Sequence, residues 1–115
     1  MADDAANCVF CAIARGDIPA KVVARTDTAM AFMDLEPKAP FHALVISLKH
    51  VPSLAEVDDR DMLGDLLTLA ASVARKEGLE DGYRVVINTG PAGGQTVSHL
   101  HAHVLGGRNM AWPPG

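Results

Sequence analysis

Three histidines alternate with apolar residues between His99 and Val104, and this alternation constrains the fold more than any other feature of the chain. In an extended strand, successive side chains point to opposite faces of the sheet. We therefore expect His99, His101 and His103 to share one face, about 13 Å from end to end at about 3.3 Å of rise per residue. The intervening side chains would occupy the opposite, apolar face: Leu100, Ala102 and Val104.

Apolar spacing along the rest of the chain predicts two helices and four more strands. Apolar residues recur at three- and four-residue intervals between residues 59 and 77, which is typical of a long helix with one buried face. Shorter apolar runs predict a short helix over 8–15 and four strands, over 21–25, 28–33, 43–48 and 83–88, in addition to the histidine strand over 101–105. Because the strands mostly follow one another in pairs, we expect an antiparallel sheet of about five strands with the helices on one side, an α+β fold.

Length and charge restrict the classes of function. The 115 residues favour one compact domain over residues 1–115. A formal net charge of -4 argues against broad binding to nucleic acid. Asp3 and Asp4 stand where a secretory signal would be basic, and no apolar run approaches membrane-spanning length. We expect a cytoplasmic protein whose partners include neither nucleic acid nor a membrane.

The histidine row has a chemical meaning near neutral pH. Imidazoles can attack a phosphorus centre, donate hydrogen bonds to its oxygens and protonate a leaving group. A glycine-rich loop over 88–96 precedes the row, and its amides could cradle phosphate oxygens. The remaining histidines, His42 and His50, flank another predicted strand. A metal site or a merely polar sheet face are the alternative interpretations.

Several segments resemble the histidine triad (HIT) family, and in particular its branch of histidine triad nucleotide-binding proteins, often called Hint. The central match is HLHAHVL at 99–105, in which histidines alternate with apolar residues. The surrounding matches span nearly the whole chain: GDIPAK at 16–21, AFMD at 31–34, GGQT at 93–96, LGGR at 105–108 and WPPG at 112–115. Two departures are Thr96, where serine is common, and Ser47, where proline is usual.

This resemblance implies a homodimeric HIT-like fold with one long and one short helix and a purine-nucleotide pocket. Its members hydrolyse adenosine phosphoramidates, in which the nucleotide is joined to an amine or a lysine side chain. By the motif, His101 attacks the α-phosphorus and forms a transient nucleotidyl-histidine, which water hydrolyses. His103 would contact the phosphate or the leaving group, while His99 and His42 would orient the nucleophile.

The resemblance also implies the substrate contacts. Asp34 would accept hydrogen bonds from the ribose hydroxyls, and Phe32 with Leu35 would line the base. The phosphate would be held by residues of the glycine-rich loop: Asn88, Gly94, Gln95 and Thr96. Trp112 is either a surface anchor or part of a tail that shapes the leaving-group side of the dimer's site.

Cys8 and Cys11 have the spacing with which two thiolates hold one metal ion. The resemblance implies a structural zinc completed by His50 and His99, and no organic cofactor. With His99 as a ligand, that histidine would stiffen the catalytic strand. The alternatives are two reduced, partly buried cysteines or a redox pair.

Four functions share these features. The first is a nucleoside phosphoramidate hydrolase acting through His101. The second is a dinucleoside polyphosphate hydrolase or nucleotidyl transferase, which shares the intermediate but differs in the leaving group. The others are a non-catalytic nucleotide-sensing scaffold and a zinc-binding interaction module. The short tail ending in WPPG favours the first.

Overall fold

The computed structural model describes residues 5–115, and its centre is one five-stranded antiparallel sheet. The strands are β1 (Val22–Arg25), β2 (Ala29–Met33), β3 (Phe41–Ser47), β4 (Arg84–Val86) and β5 (His101–Gly106). They lie in the order β1-β2-β3-β5-β4, and every neighbouring pair is antiparallel. The strand that carries two of the triad histidines therefore lies between β3 and the edge strand β4.

Two α-helices accompany the sheet, α1 (Val9–Arg15) and α2 (Arg60–Lys76), together with 3-10 turns at Ala5–Asn7, Leu54–Glu56 and Pro91–Gly93. Asp59 caps α2 by accepting the Met62 N–H at 3.0 Å, and Gly78 follows the helix with a φ of +77° that glycine adopts readily. The N-cap of α1 is Cys8, whose sulfur accepts from the Cys11 amide.

The helices lie on opposite faces of the sheet, which corrects the expectation that both share one side. Alternate residues of β2 and β3 belong to two different apolar clusters. The larger cluster holds α2 and the apolar side chains of the triad segment, Leu100, Ala102 and Val104. The smaller cluster holds α1 through Phe10 and Cys11, packed against Met30, Phe32, Leu44 and Ile46. Because β2 and β3 are apolar at nearly every position, both of their faces need a cover.

The predicted α+β class and the two helices are confirmed, with changes at the element boundaries. The predicted strand over 83–88 shortens to β4, and the strand over 43–48 begins two residues earlier in β3. His99 lies in a bend before β5, where its N–H donates to the Val97 carbonyl at 2.9 Å. Within residues 5–115, no helix is long and apolar enough to cross a membrane.

Candidate active site and metal centre

The five histidines lie in one row of rings on the sheet face that α1 covers. Phe10 of α1 contacts the His99 ring and the His101 ring, with centroids 5.8 Å and 5.1 Å from its own. The remaining neighbours in the row have centroids 5.1–5.2 Å apart: His50 with His99, His101 with His103, and His103 with His42. The expected shared face of the triad is therefore present, although only His101 and His103 belong to the strand.

The His101 ring is fixed by a backbone carbonyl. Its Nδ1 lies 2.6 Å from the His99 oxygen, and a carbonyl can only accept a hydrogen bond. The proton therefore resides on Nδ1, which leaves the lone pair on Nε2. Burial lowers the pKa of His101, so the ring is neutral near pH 7. A neutral, buried imidazole with an available Nε2 lone pair is suited to nucleophilic attack.

His42 and His103 form a second hydrogen-bonded pair. The Lys38 amide donates to Nδ1 of His42 at 2.9 Å, so the proton of the neutral His42 ring resides on Nε2. That Nε2 lies 2.9 Å from Nδ1 of His103, which must accept. His103 therefore carries its proton on Nε2 and can donate it. Burial, followed by the neighbouring His101 and His42, lowers the pKa of His103 to about 4.

Whereas His101 carries its proton on Nδ1, the His99 ring carries its proton on Nε2. Its Nε2 lies 2.6 Å from the Ser47 carbonyl, which fixes the proton on Nε2 and leaves the Nδ1 lone pair. That Nδ1 lies 3.2 Å from the sulfur of Cys8 and 3.5 Å from that of Cys11. Burial lowers the pKa of His99 to about 4, which keeps the ring in the neutral form that a metal ion requires.

Cys8, Cys11, His50 and His99 form a group, the cysteine cluster, that could hold one metal ion. Nδ1 of His50 lies 3.3 Å from the Cys11 sulfur, and all four ligand atoms lie within 4.8 Å of one another. In tetrahedral zinc, bonds of about 2.3 Å to sulfur and 2.0 Å to nitrogen separate these atoms by about 3.5 Å. Burial, followed by Cys8, raises the pKa of the Cys11 thiol to about 11, so a bound cation would have to displace its proton. Donor types and spacing therefore fit tetrahedral zinc.

A second group of possible ligands consists of Asp34, His42 and His103. Oδ2 of Asp34 lies 3.4 Å from Nε2 of His42, so the distances alone would allow a cation. The Lys38 amide argues against one, because it occupies Nδ1 of His42 and keeps the proton on the nitrogen that would have to bind. The proton on Nε2 of His42 lies between His42 and His103, so this group does not offer that nitrogen to a cation. In the cysteine cluster, by contrast, the Nδ1 lone pair of His99 faces the sulfurs.

The glycine-rich loop is held by its own polar groups. Nδ2 of Asn88 donates to the Gly93 carbonyl at 2.8 Å. The Gln95 side chain accepts from the Gly90 amide at 2.9 Å and donates to the carbonyls of Pro52 and Val97. The amides of Gly94 and Gln95 also donate within the loop. The side chain of Gln95 therefore maintains the loop. The phosphate contacts of Asn88, Gly94, Gln95 and Thr96 stay predictions.

The residues predicted to hold the ribose and base differ widely in exposure, and their substrate contacts stay predictions. Phe32 is buried and packs against Phe10, with ring centroids 5.7 Å apart. Oδ1 of Asp34 accepts the Glu36 amide at 2.8 Å, while Oδ2 faces His42. Leu35 is 91% exposed and Trp112 is 83% exposed.

Three groups in this site were missed by the sequence reasoning. The Ser47 carbonyl and the Lys38 amide set the protonation of His99 and His42, and backbone groups carry no residue-type signal. His42 hydrogen bonds to His103, and its expected support of His101 stays a prediction. Phe10 was the detectable omission, because it is the aromatic residue between Cys8 and Cys11.

The fold and the site together define a small α+β protein with an imidazole row on one sheet face. The family model described as HIT domain matches residues 15–110, so the chain belongs to the HIT domain family. It is 50% identical over 111 residues to a 14 kDa zinc-binding protein of Zea mays, covering 93% of this chain and 87% of that one.

Two solved structures extend the comparison. The chain resembles a HIT family hydrolase from Legionella pneumophila with a TM-score of 0.91 and 48% identity, covering 95% of this chain and all of that one. It also resembles a histidine triad nucleotide-binding protein from Candida albicans with a TM-score of 0.82 and 29% identity, covering 93% and 83% respectively. The chain therefore has the fold of HIT family hydrolases.

The ring protonation assigned above can be measured directly. At pH 7, long-range ¹H–¹⁵N correlation spectra should show His101 protonated on Nδ1 and both His42 and His103 protonated on Nε2. Because burial lowers the pKa of His103 to about 4, its signals should remain those of a neutral ring down to about pH 5. A His101 ring protonated on Nε2 would contradict the assignment.

Proposed function

We propose that this HIT protein belongs to the Hint branch and hydrolyses purine nucleoside 5'-phosphoramidates. The nucleotide would be joined to an amine or a lysine side chain and would pass through a nucleotidyl-histidine on His101. One observation carries this proposal: the 2.6 Å hydrogen bond from Nδ1 of His101 to the His99 carbonyl, which leaves Nε2 as the attacking atom. The hydrolase fold of the solved relatives supports the reaction class.

In the first step, the Nε2 lone pair of His101 bonds to the α-phosphorus and the P–N bond to the amine breaks. The leaving nitrogen takes one proton from solvent, while the Nε2–H of neutral His103 donates a hydrogen bond to the phosphate or the leaving group and His42 holds the His103 ring from the other side. The new nucleotidyl-imidazolium keeps its Nδ1 proton on the His99 carbonyl. The Asp34 carboxylate favours positive charge on His101, since it acts to raise the pKa of that ring.

In the second step, water attacks the same phosphorus and returns one proton to solvent, while the Nε2–H of His103 again donates to the substrate. The bond from Nε2 of His101 to phosphorus breaks, which releases the nucleoside monophosphate and restores the neutral ring. Dividing the reaction into two displacements lets the same histidine pair serve both steps. No step in this sequence requires an organic cofactor.

The nucleotide contacts belong to the proposal as well. Purine nucleotide is the proposed ligand, and the resemblance to a protein named as nucleotide-binding supports it. We assign ribose contacts to Asp34, base contacts to Phe32 and Leu35, and leaving-group contacts to Trp112. Phosphate contacts are assigned to the loop residues Asn88, Gly94, Gln95 and Thr96. The high exposure of Leu35 and Trp112 leaves both side chains accessible to a ligand.

We also propose a homodimer. The edge strand β4 is only three residues long, and the large side chains Tyr83 and Val85 beside and within it are 42% and 38% exposed. A sheet edge with exposed apolar groups favours pairing with another chain.

Replacing His101 should abolish turnover. His101→Ala removes the only atom proposed to bond to phosphorus, so we expect kcat for an adenosine 5'-phosphoramidate to fall at least about 1,000-fold. Acid-free denaturation and mass spectrometry of the wild type during turnover should find a nucleotide adduct on His101. Lys76→Ala, at an exposed position on the last turn of α2, is the matched control and should leave both readouts unchanged.

Two outcomes would refute this proposal. Equal turnover by wild type and His101→Ala would exclude the histidine as nucleophile. Tight binding of AMP with no phosphoramidate turnover by the wild type would identify a nucleotide-binding protein without this activity.

We further propose that Cys8, Cys11, His50 and His99 bind one structural zinc ion. The ligand geometry and the zinc-binding relative from Zea mays support this assignment. Both cysteines are thiols in the structure, and such a pair persists in a reducing compartment, consistent with the predicted cytoplasmic location. When bound, zinc would supply structural cross-linking between the start of α1, the segment after β3 and the segment before β5.

Metal analysis tests the zinc assignment. Protein purified without chelator should contain about one zinc per chain, and Cys11→Ser should lower this below about one tenth, because the loss of one thiolate opens the tetrahedral set. Asp34→Asn, in the second group of possible ligands, is the matched control and should keep its zinc. Zinc-free wild type with two freely titratable thiols would contradict the assignment, as would equal losses in the two variants.

A further inference from the structure

The residue between the two cysteines of α1 has no role in the function proposed so far. Phe10 is 7% exposed, and its ring meets three aromatic rings edge-on. The closest of these contacts is to His101, with centroids 5.1 Å apart and the planes at 79°. An apolar ring against the candidate nucleophile is in a position to control its orientation.

Both ends of the turn that carries Phe10 are fixed. Cys8 caps α1 by accepting the Cys11 amide, and both sulfurs lie within 3.5 Å of Nδ1 of His99. The Phe10 side chain is therefore anchored on either side along the chain. His99 in turn supplies the carbonyl that binds His101. The cysteine cluster is thus connected to His101 in two ways. The Phe10 ring contacts the His101 ring, and the His99 carbonyl accepts its Nδ1 proton.

Both contacts are needed to hold the His101 ring in a single orientation. The torsion about Cβ–Cγ is broad and roughly two-fold, so rotation by 180° exchanges the nitrogen and carbon edges of the ring. The carbonyl of His99 favours one of these orientations but acts on a single atom. The His101 ring also contacts the rings of Phe10 and His103, whose centroids lie 5.1 Å and 5.2 Å from its own. Close packing against two rings obstructs rotation.

We propose that Phe10 is a positioning residue for His101, and that its ring and the His99 carbonyl together hold Nε2 in the attacking orientation. The kinetic part of this inference rests on the proposed phosphoramidate hydrolysis. Phe10 itself touches neither phosphorus nor the leaving group in this scheme. The competing role is ordinary core packing, in which Phe10 only stabilises α1 against the sheet.

Phe10→Leu separates the two roles, because leucine keeps apolar volume but loses the ring edge. We expect kcat for an adenosine 5'-phosphoramidate to fall roughly 10- to 100-fold, since small errors in attack geometry have effects of this size. KM should stay within about twofold, because Phe10 makes no proposed substrate contact. The ¹⁵N spectrum of His101 should change from one Nδ1-protonated form to a mixture or an exchange-broadened signal.

Ile13→Ala is the matched control for packing. Ile13 lies one helical turn beyond Phe10 and packs against the same apolar cluster. Compared at equal zinc content, this variant should lose stability but keep kcat and the single His101 signal. An unchanged kcat in Phe10→Leu, or an equal fall in both variants, would overturn the positioning role.

The spectroscopic measurement keeps this inference separate from the proposed function. If wild type turns over no phosphoramidate, the proposed function fails and the ¹⁵N spectra alone decide the role of Phe10. A mixture of His101 forms in Phe10→Leu, absent from wild type and Ile13→Ala, would support the inference. The same single Nδ1-protonated form in all three proteins would overturn it.

Discussion

The hydrogen bond from Nδ1 of His101 to the carbonyl of His99 is the interaction on which the rest of the site depends. It determines which nitrogen carries the proton, and so which atom can attack. The carbonyl is available in this position because His99 leaves the regular strand in a bend and places its own ring against Cys8 and Cys11. Departure from ideal strand geometry therefore brings the cysteine cluster and the candidate nucleophile together.

Backbone groups distinguish two clusters that contain similar side chains. The Ser47 carbonyl keeps the proton of His99 away from the sulfurs, which leaves a lone pair for a metal ion. The Lys38 amide does the reverse for His42 and favours a proton between His42 and His103. One cluster is thereby suited to binding a cation and the other to donating a hydrogen bond from Nε2 of His103, although both contain two histidines.

The alternation of histidine and apolar residues was sufficient to predict the central feature of the fold. Leu100, Ala102 and Val104 are buried under α2 and the histidines point to the other face, because period-two patterning leaves a strand no other choice. The position of α1 was predicted wrongly because the sheet has two apolar faces, and periodicity does not indicate which helix covers which face.

The details of the site were less accessible from sequence. Gln95 matches the family motif, but the motif does not indicate that its side-chain amide hydrogen bonds to the Gly90 amide and the Pro52 carbonyl. The nitrogen of His42 that carries the proton depends on the backbone amide of Lys38, and a backbone amide is present in almost every residue type. The contact between Phe10 and His101 joins residues 91 positions apart, and such pairings follow from tertiary packing alone.

The central claim is that Nε2 of His101 faces the phosphorus because the His99 carbonyl holds the opposite nitrogen. A crystal structure of the protein with a non-hydrolysable adenosine phosphoramidate analogue tests it most directly. Our account predicts Nε2 of His101 about 3–3.5 Å from the α-phosphorus and opposite the leaving nitrogen, the separation expected before attack. It would be contradicted by a phosphorus atom lying nearest to another histidine, or by a His101 ring rotated so that Nδ1 faces the substrate.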